Sequence, residues 1–256
     1  MLHSVNYADQ RGTTVQKIDV FGPCDVNGSP SADRGSNVTP PETGPEGRAD
    51  LSVRRTIQAH GVIVPARMTG DEPLTAGGNN LPGGPVIDFW QWSMSSLLDN
   101  TVRGLFAEYL VARALGVTHA GVRVEWDAVD IVTESGLRVE VKSVSFLQSW
   151  AQTRASTPTV SIPETLAWDA HTGRYEPASR RQADVYVVCV LDVTDVADLD
   201  PLNLDHWRFL VVPTRVLNTE VPGQKSIVLH RLAALPGVTE CTYTDLRDTV
   251  ETAGTP

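Results

Sequence analysis

The segment Trp126–Ser143 reads WDAVDIVTESGLRVEVKS. Two alternating runs, AVDIV and LRVEV, flank Glu134-Ser135-Gly136. A three-residue loop ending in Gly is the signature of a type I turn followed by a left-handed residue and a bulge, so the segment predicts a β-hairpin. That loop sets the register: Thr133 faces Leu137, Val132 faces Arg138, Ile131 faces Val139 and Asp130 faces Glu140. Asp130 and Glu140 then share a face, roughly 5 Å apart at their Cβ atoms. Leu137, Val139 and Val141 line one face of the second strand, and Arg138, Glu140 and Lys142 the other. Two facing carboxylates repel unless a hard cation sits between them, and magnesium with oxygen ligands suits such a pair. Removing either carboxylate should therefore relieve repulsion. A two-residue turn would pair Ile131 with Glu140 instead and lose this geometry. Asp127 is a rival for the aspartate position; the register favours Asp130.

Upstream, TVRGLFAEYLVARALG (101–116) has helical character, with Asn100 or Thr101 opening it and Gly116 closing it at a C′ position. Glu108 is the anomaly of this helix. Leu105, Ala112 and Leu115 surround it, and no basic residue stands three or four positions away. A carboxylate on an apolar stripe is costly unless a cation or donor comes from elsewhere in the fold. Before this helix, Asp88 is placed to cap a short one over VIDFWQWSM. HAGVRVEW (119–126) reads as a strand ahead of the hairpin. Downstream, a polar segment (148–182) leads to DVYVVCVL (184–191), whose continuous apolar run implies a strand buried on both faces. WRFLVVP is a further strand, Thr214 is placed to cap a short helix, SIVLHRLAAL is ambiguous between strand and helix, and TDLRDTVETA is a terminal helix. These elements define an α/β domain around a mixed sheet.

Composition divides the chain. Residues 1–85 hold 12 of the 20 Gly and 9 of the 17 Pro but none of the six Trp, so they cannot bury enough apolar surface to offset chain entropy. The expected organisation is a disordered, low-complexity region over 1–84, with a weak strand signal at 58–65, and a folded domain over 85–256. A net charge of −10 argues against a simple basic nucleic-acid coat protein. Cys24, Cys189 and Cys241 form no CxxC pair, which speaks against a disulfide scaffold and a structural zinc site. No apolar run is long enough for a membrane span, and no secretory h-region is present, so a cytoplasmic protein is expected. The acidic run from Asp192 to Asp205 lacks EF-hand spacing and reads as an acidic loop. Only three of the 21 basic residues are lysines, which singles out Lys142: an ammonium is a compact point charge suited to holding or activating water.

The order RGLFAEYLVARALG, WDAVDIVTESGLRVEVKS, ADVYVVCVL resembles the PD-(D/E)XK, or restriction-endonuclease-like, nuclease superfamily over about residues 100–192. Val129 stands where the literal motif has proline. The resemblance implies a core of helix, three antiparallel strands, helix and a further strand: a restriction-endonuclease-like mixed β-sheet flanked by helices. It implies that Asp130, Glu140 and the Val141 carbonyl ligate magnesium or manganese, that Glu108 assists, and that Lys142 positions the attacking water in phosphodiester hydrolysis. The expected partner is nucleic acid, DNA over RNA, with a homodimer left open and no membrane. Gln148, Arg154, Arg180 and Arg181, with Arg174 nearby, are the candidates for nucleic-acid contact. The alternative is a nuclease-like fold kept as a catalytically inactive binding or interaction module.

Overall fold

Seven consecutive buried residues, Val185–Leu191, run through the middle of the sheet, which is why their sequence carries no polar alternation. The computed structural model describes residues 56–57, 63–64, 66–118, 122–123, 128–169 and 174–255. In chain order the elements are β1 (Thr56–Ile57), β2 (Ile63–Val64), β3 (Pro73–Ala76), β4 (Asn79–Pro85), α1 (Val86–Met94), α2 (Asn100–Leu115), β5 (Ile131–Val132), β6 (Arg138–Ser145), β7 (Thr159–Ser161), β8 (Trp168–Asp169), β9 (Arg174–Tyr175), β10 (Val185–Leu191), β11 (Trp207–Pro213), α3 (Thr214–Glu220), β12 (Ser226–Val228), α4 (Leu229–Ala233), β13 (Thr239–Cys241) and α5 (Leu246–Gly254).

The central sheet has the order β13-β11-β10-β6-β5. Only β6 and β10 pair in parallel; the remaining neighbours are antiparallel, so the sheet is mixed and flanked by helices, as expected. Ala107, Leu110 and Val111 of α2, with Leu246 and Val250 of α5, pack on the face formed by Val139, Val141, Val185, Val187 and Phe209. The opposite face, with Val144, Val188, Leu210 and Val212, is covered by Val160, Ile162, Leu217, Ile227 and Leu232. Burial on both faces explains the apolar runs of β10 and β11.

Several local expectations are corrected. The α2 cap is Asp99, whose carboxylate accepts from Thr101 N–H at 3.0 Å, rather than Asn100 or Thr101; Gly116 ends the helix at φ +79° as expected. Asp88 lies in the first turn of α1, behind Pro85 at the cap. Thr214 likewise does not cap α3: its hydroxyl donates to the Ala183 carbonyl at 2.7 Å. The ambiguous 226–235 segment divides into β12 and α4. Part of the region expected to lack structure is ordered: β3 and β4 form a hairpin whose Gly77-Gly78 turn has φ +58° and +79°, the type I′ geometry that two glycines favour. Within 58–65, Ile63–Val64 pairs with Thr56–Ile57; residues 1–55 lie outside the described residues. Most of the expected strand at 119–126 also lies outside them, as does Asp127. Among the described residues no helix separates β6 from β10, contrary to the core that the resemblance implies; β7, β8 and β9 occupy this crossover. No helix of the described residues is long and apolar enough to cross a membrane.

Candidate active site

The Glu134–Gly136 loop takes the conformation its sequence requires. Gly136 has φ +82° and its N–H donates to the Thr133 carbonyl at 2.9 Å, while Thr133 N–H donates to the Leu137 carbonyl at 3.0 Å. The register follows: Ile131 pairs with Val139 and Val132 with Arg138. The ladder then stops. Asp130 lies one residue past the last pair, on the row of Glu140. Bonded pairs alternate in an antiparallel ladder, so continued pairing would offer the Val129 carbonyl to Val141. Instead the Asp130 carboxylate takes that place, accepting from Val141 N–H at 2.7 Å.

Alternation along β6 separates core from chemistry. Val139 and Val141 are buried beneath α2, whereas Glu140 and Lys142 project from the other face into a cavity of about 250 Å³ that Asp130 also lines. The Lys142 ammonium pairs with Glu140, and both side chains are mostly buried. Burial pushes the Glu140 carboxyl above the ordinary carboxylate value; the Asp130 and Glu108 charges add to the push, and the Lys142 charge opposes it. The pair is therefore held with its negative member strained toward neutrality.

Glu108 receives the cation that its apolar helix stripe required. Arg123 grips both carboxylate oxygens, through Nε and, at 3.1 Å, through Nη2. The neighbours of Glu108 on its helix, Ala107, Leu110 and Val111, pack α2 on the Val139 and Val141 face, and the Glu108 charge is felt at Glu140. Glu108, Asp130 and Glu140 were expected to meet at one point: Asp130 and Glu140 line the same cavity, and Glu108, which does not line it, acts on Glu140 through its charge. Among the described residues no three His, Cys, Asp or Glu side chains are grouped as metal ligands.

The expected nucleic-acid contacts fare unequally. Arg154 is exposed. Arg180 is exposed, paired with Glu176 at 2.9 Å and donating at 3.0 Å to Gln182, which itself lines the cavity. Gln148 is tied to the Ser145 carbonyl at 2.8 Å, and its N–H donates to Gln152. Arg181 is a structural residue. It is 6% exposed and donates to the Ile162 carbonyl at 3.0 Å, to Asn218 at 2.7 Å, and to the Val221 and Gln224 carbonyls at 3.2 Å each. Four of its five donors are thus spent inside the protein, and it is withdrawn from the set that could touch phosphate.

Tyr186 escaped the sequence reading. It pairs with Glu140 in the parallel β6–β10 register, is 4% exposed and lines the same cavity. Burial and, next, the Glu140 charge raise its phenol to about 12, so it stays protonated at neutral pH. Its only signal was a polar-tipped aromatic within an otherwise aliphatic strand.

The mixed sheet thus carries a carboxylate pair and a lysine along one cavity at the foot of its edge hairpin. Residues 90–231, just over half the chain, match the family model of bacteriophage T4 endonuclease IV, and the chain belongs to that family. The match spans Glu108, Asp130, Glu140, Lys142 and Tyr186, and it assigns the chain to the nucleases. No curated protein matches it.

Proposed function

We propose that the chain is a magnesium- or manganese-dependent nuclease of PD-(D/E)XK type, hydrolysing phosphodiester bonds of DNA at the cavity lined by Asp130, Glu140 and Lys142. The observation that carries this reading is the joint placement of those three side chains on one cavity wall, with Glu140 pushed toward neutrality by burial and by neighbouring negative charge. A carboxylate in that state gains most from a divalent cation, and oxygen donors suit a hard one. Asp130 and Glu140 would hold the ion. The Val141 carbonyl would join them, since a strand residue's C=O leaves on the same side as its N–H and that N–H points to Asp130. Bound, the ion would supply a Lewis acid for a phosphoryl oxygen and a more acidic water.

The chain's own residues do the rest. With Glu140 holding an ion, the Lys142 ammonium would be free to hold the attacking water by hydrogen bonding. Val139 and Val141 anchor β6 in the core and so fix where Glu140 and Lys142 emerge. Glu108, clamped by Arg123, adds negative potential without entering the cavity. Arg180, with Arg154 and Gln148, offers contacts for the nucleic-acid backbone.

Incubating the protein with labelled single- and double-stranded DNA and RNA, with and without magnesium or manganese, tests the reading. Metal-dependent cleavage abolished in Glu140→Ala, with metal-induced thermal stabilisation lost in the same variant, is the expected result. The second reading, an inactive binding module, draws on the internal pairing of every carboxylate in the site. Binding of an oligonucleotide without cleavage under any metal would favour it.

A further inference from the structure

Tyr186 is a buried phenol opening onto the cavity, and its hydroxyl makes no hydrogen bond to the described residues. The hydroxyl is not among the side-chain atoms buried without a partner in the described residues, so it reaches the open space of the cavity while its ring lies in the core. The neighbouring positions explain why this one lacks a partner within the protein. Gln182, the other buried polar residue of the cavity wall, already donates to the Thr165 carbonyl at 2.7 Å and accepts from Arg180. Glu140 is engaged by Lys142, and Asp130 by Val141 N–H. Parallel register fixes Tyr186 on the strand beside Glu140, and both project from the same face. A neutral donor there has a property that a cation would lack: it is not claimed by the two carboxylates as an ion pair, so it stays available to a ligand oxygen.

We propose that Tyr186 is a catalytic residue, its hydroxyl donating a hydrogen bond to a non-bridging phosphoryl oxygen of the phosphodiester seated between it and the Glu140–Lys142 pair. The proposal rests on the nuclease reading and adds to it a donor supplied by the neighbouring strand rather than by the hairpin. Negative charge accumulates on those oxygens as hydrolysis proceeds, so a fixed donor acts more strongly on the transition state than on the bound substrate.

The test is Tyr186→Phe, which keeps the ring and removes only an oxygen without a protein partner. Melting temperature should be unchanged or raised. On whichever DNA or RNA oligonucleotide the wild type cleaves, kcat should fall roughly 100-fold with KM nearly constant. The same oligonucleotide carrying a phosphorothioate at the cleaved bond, as separate Rp and Sp isomers, completes a double cycle. On the isomer whose sulfur replaces the contacted oxygen, the Phe variant should lose little further activity, because the two changes remove one bond. Should the Phe variant cleave within about twofold of wild type, or should its effects be additive with both isomers, the Tyr186 assignment fails while the nuclease reading stands. The isomer comparison also decides if the variant is less stable than expected. A wild-type protein that cleaves and binds none of the oligonucleotides overturns both.

Discussion

Asp130 and Val141 are joined by a 2.7 Å hydrogen bond from backbone N–H to carboxylate, so the aspartate supports the strand that carries Glu140 and Lys142. From electrostatics alone, deleting Asp130 should relieve repulsion. The bond reverses that expectation for the metal-free protein. Val141 is buried, and losing a charged acceptor leaves its N–H unmatched at a cost of about 1–3 kcal/mol. Asp130→Ala should therefore lower stability in denaturant titrations. Asp130→Asn keeps an acceptor oxygen and should recover most of that loss while still abolishing metal-induced stabilisation.

Glu140 supplies a pH test. Its folded pKa lies above the ordinary 4.5, so between the two values the native state binds more protons than the unfolded state. Stability attributable to Glu140 is then greatest below the unfolded value and falls as pH rises toward the raised folded value. In Glu140→Gln that fall should be absent. Subtracting the variant's stability–pH profile from that of the metal-free wild type should leave a downward slope beginning near the ordinary carboxylate range. A flat or upward difference would show that the Lys142 charge outweighs burial.

Arg181 should behave as a core residue. Arg181→Met leaves four backbone or side-chain acceptors without their donor and should cost about 3 kcal/mol or more. Oligonucleotide affinity of the remaining folded protein should be unchanged. Arg180→Ala inverts the pattern, with a stability change below about 1 kcal/mol because its ion pair is exposed, and with weakened binding that flattens the salt dependence.

The hairpin was legible because its determinants are local. A three-residue loop with Gly at the left-handed position dictates the register, and alternation then assigns Val139 and Val141 to the core and Glu140 and Lys142 to the opposite face. Glu108 was legible as an anomaly but not its solution, since the cation comes from fifteen residues away in a connecting segment. Arg180 and Arg181 are indistinguishable as letters. One residue of extended chain turns their side chains to opposite sides, and only the position of the Ile162 and Val221 carbonyls shows which side is interior. Tyr186 became part of the site through parallel pairing across a crossover spanning residues 146–184, a long-range contact that neither strand encodes alone. The β3–β4 hairpin was hidden in Gly- and Pro-rich composition, although Gly77-Gly78 is itself a turn signal.

Lys142 separates the roles of charge and chemistry. In the metal-free protein its charge and hydrogen bond oppose the upward push of burial on Glu140, so Lys142→Ala should raise the Glu140 pKa further, measurable by NMR titration of the side-chain carboxyl. With the ammonium gone, Glu140 no longer has to leave an ion pair to meet a divalent ion. Near or above neutral pH, metal-induced thermal stabilisation should therefore persist at wild-type size or larger. Hydrolysis should nonetheless drop by roughly 100-fold or more, because the group proposed to hold the attacking water is missing. Lys142→Arg should not rescue it: a planar guanidinium keeps the charge but presents its donors in a fixed fork rather than at a compact point. Retained metal response with lost cleavage in both variants is the expected pattern. Full activity in Lys142→Arg would reduce the lysine to a counter-charge for Glu140.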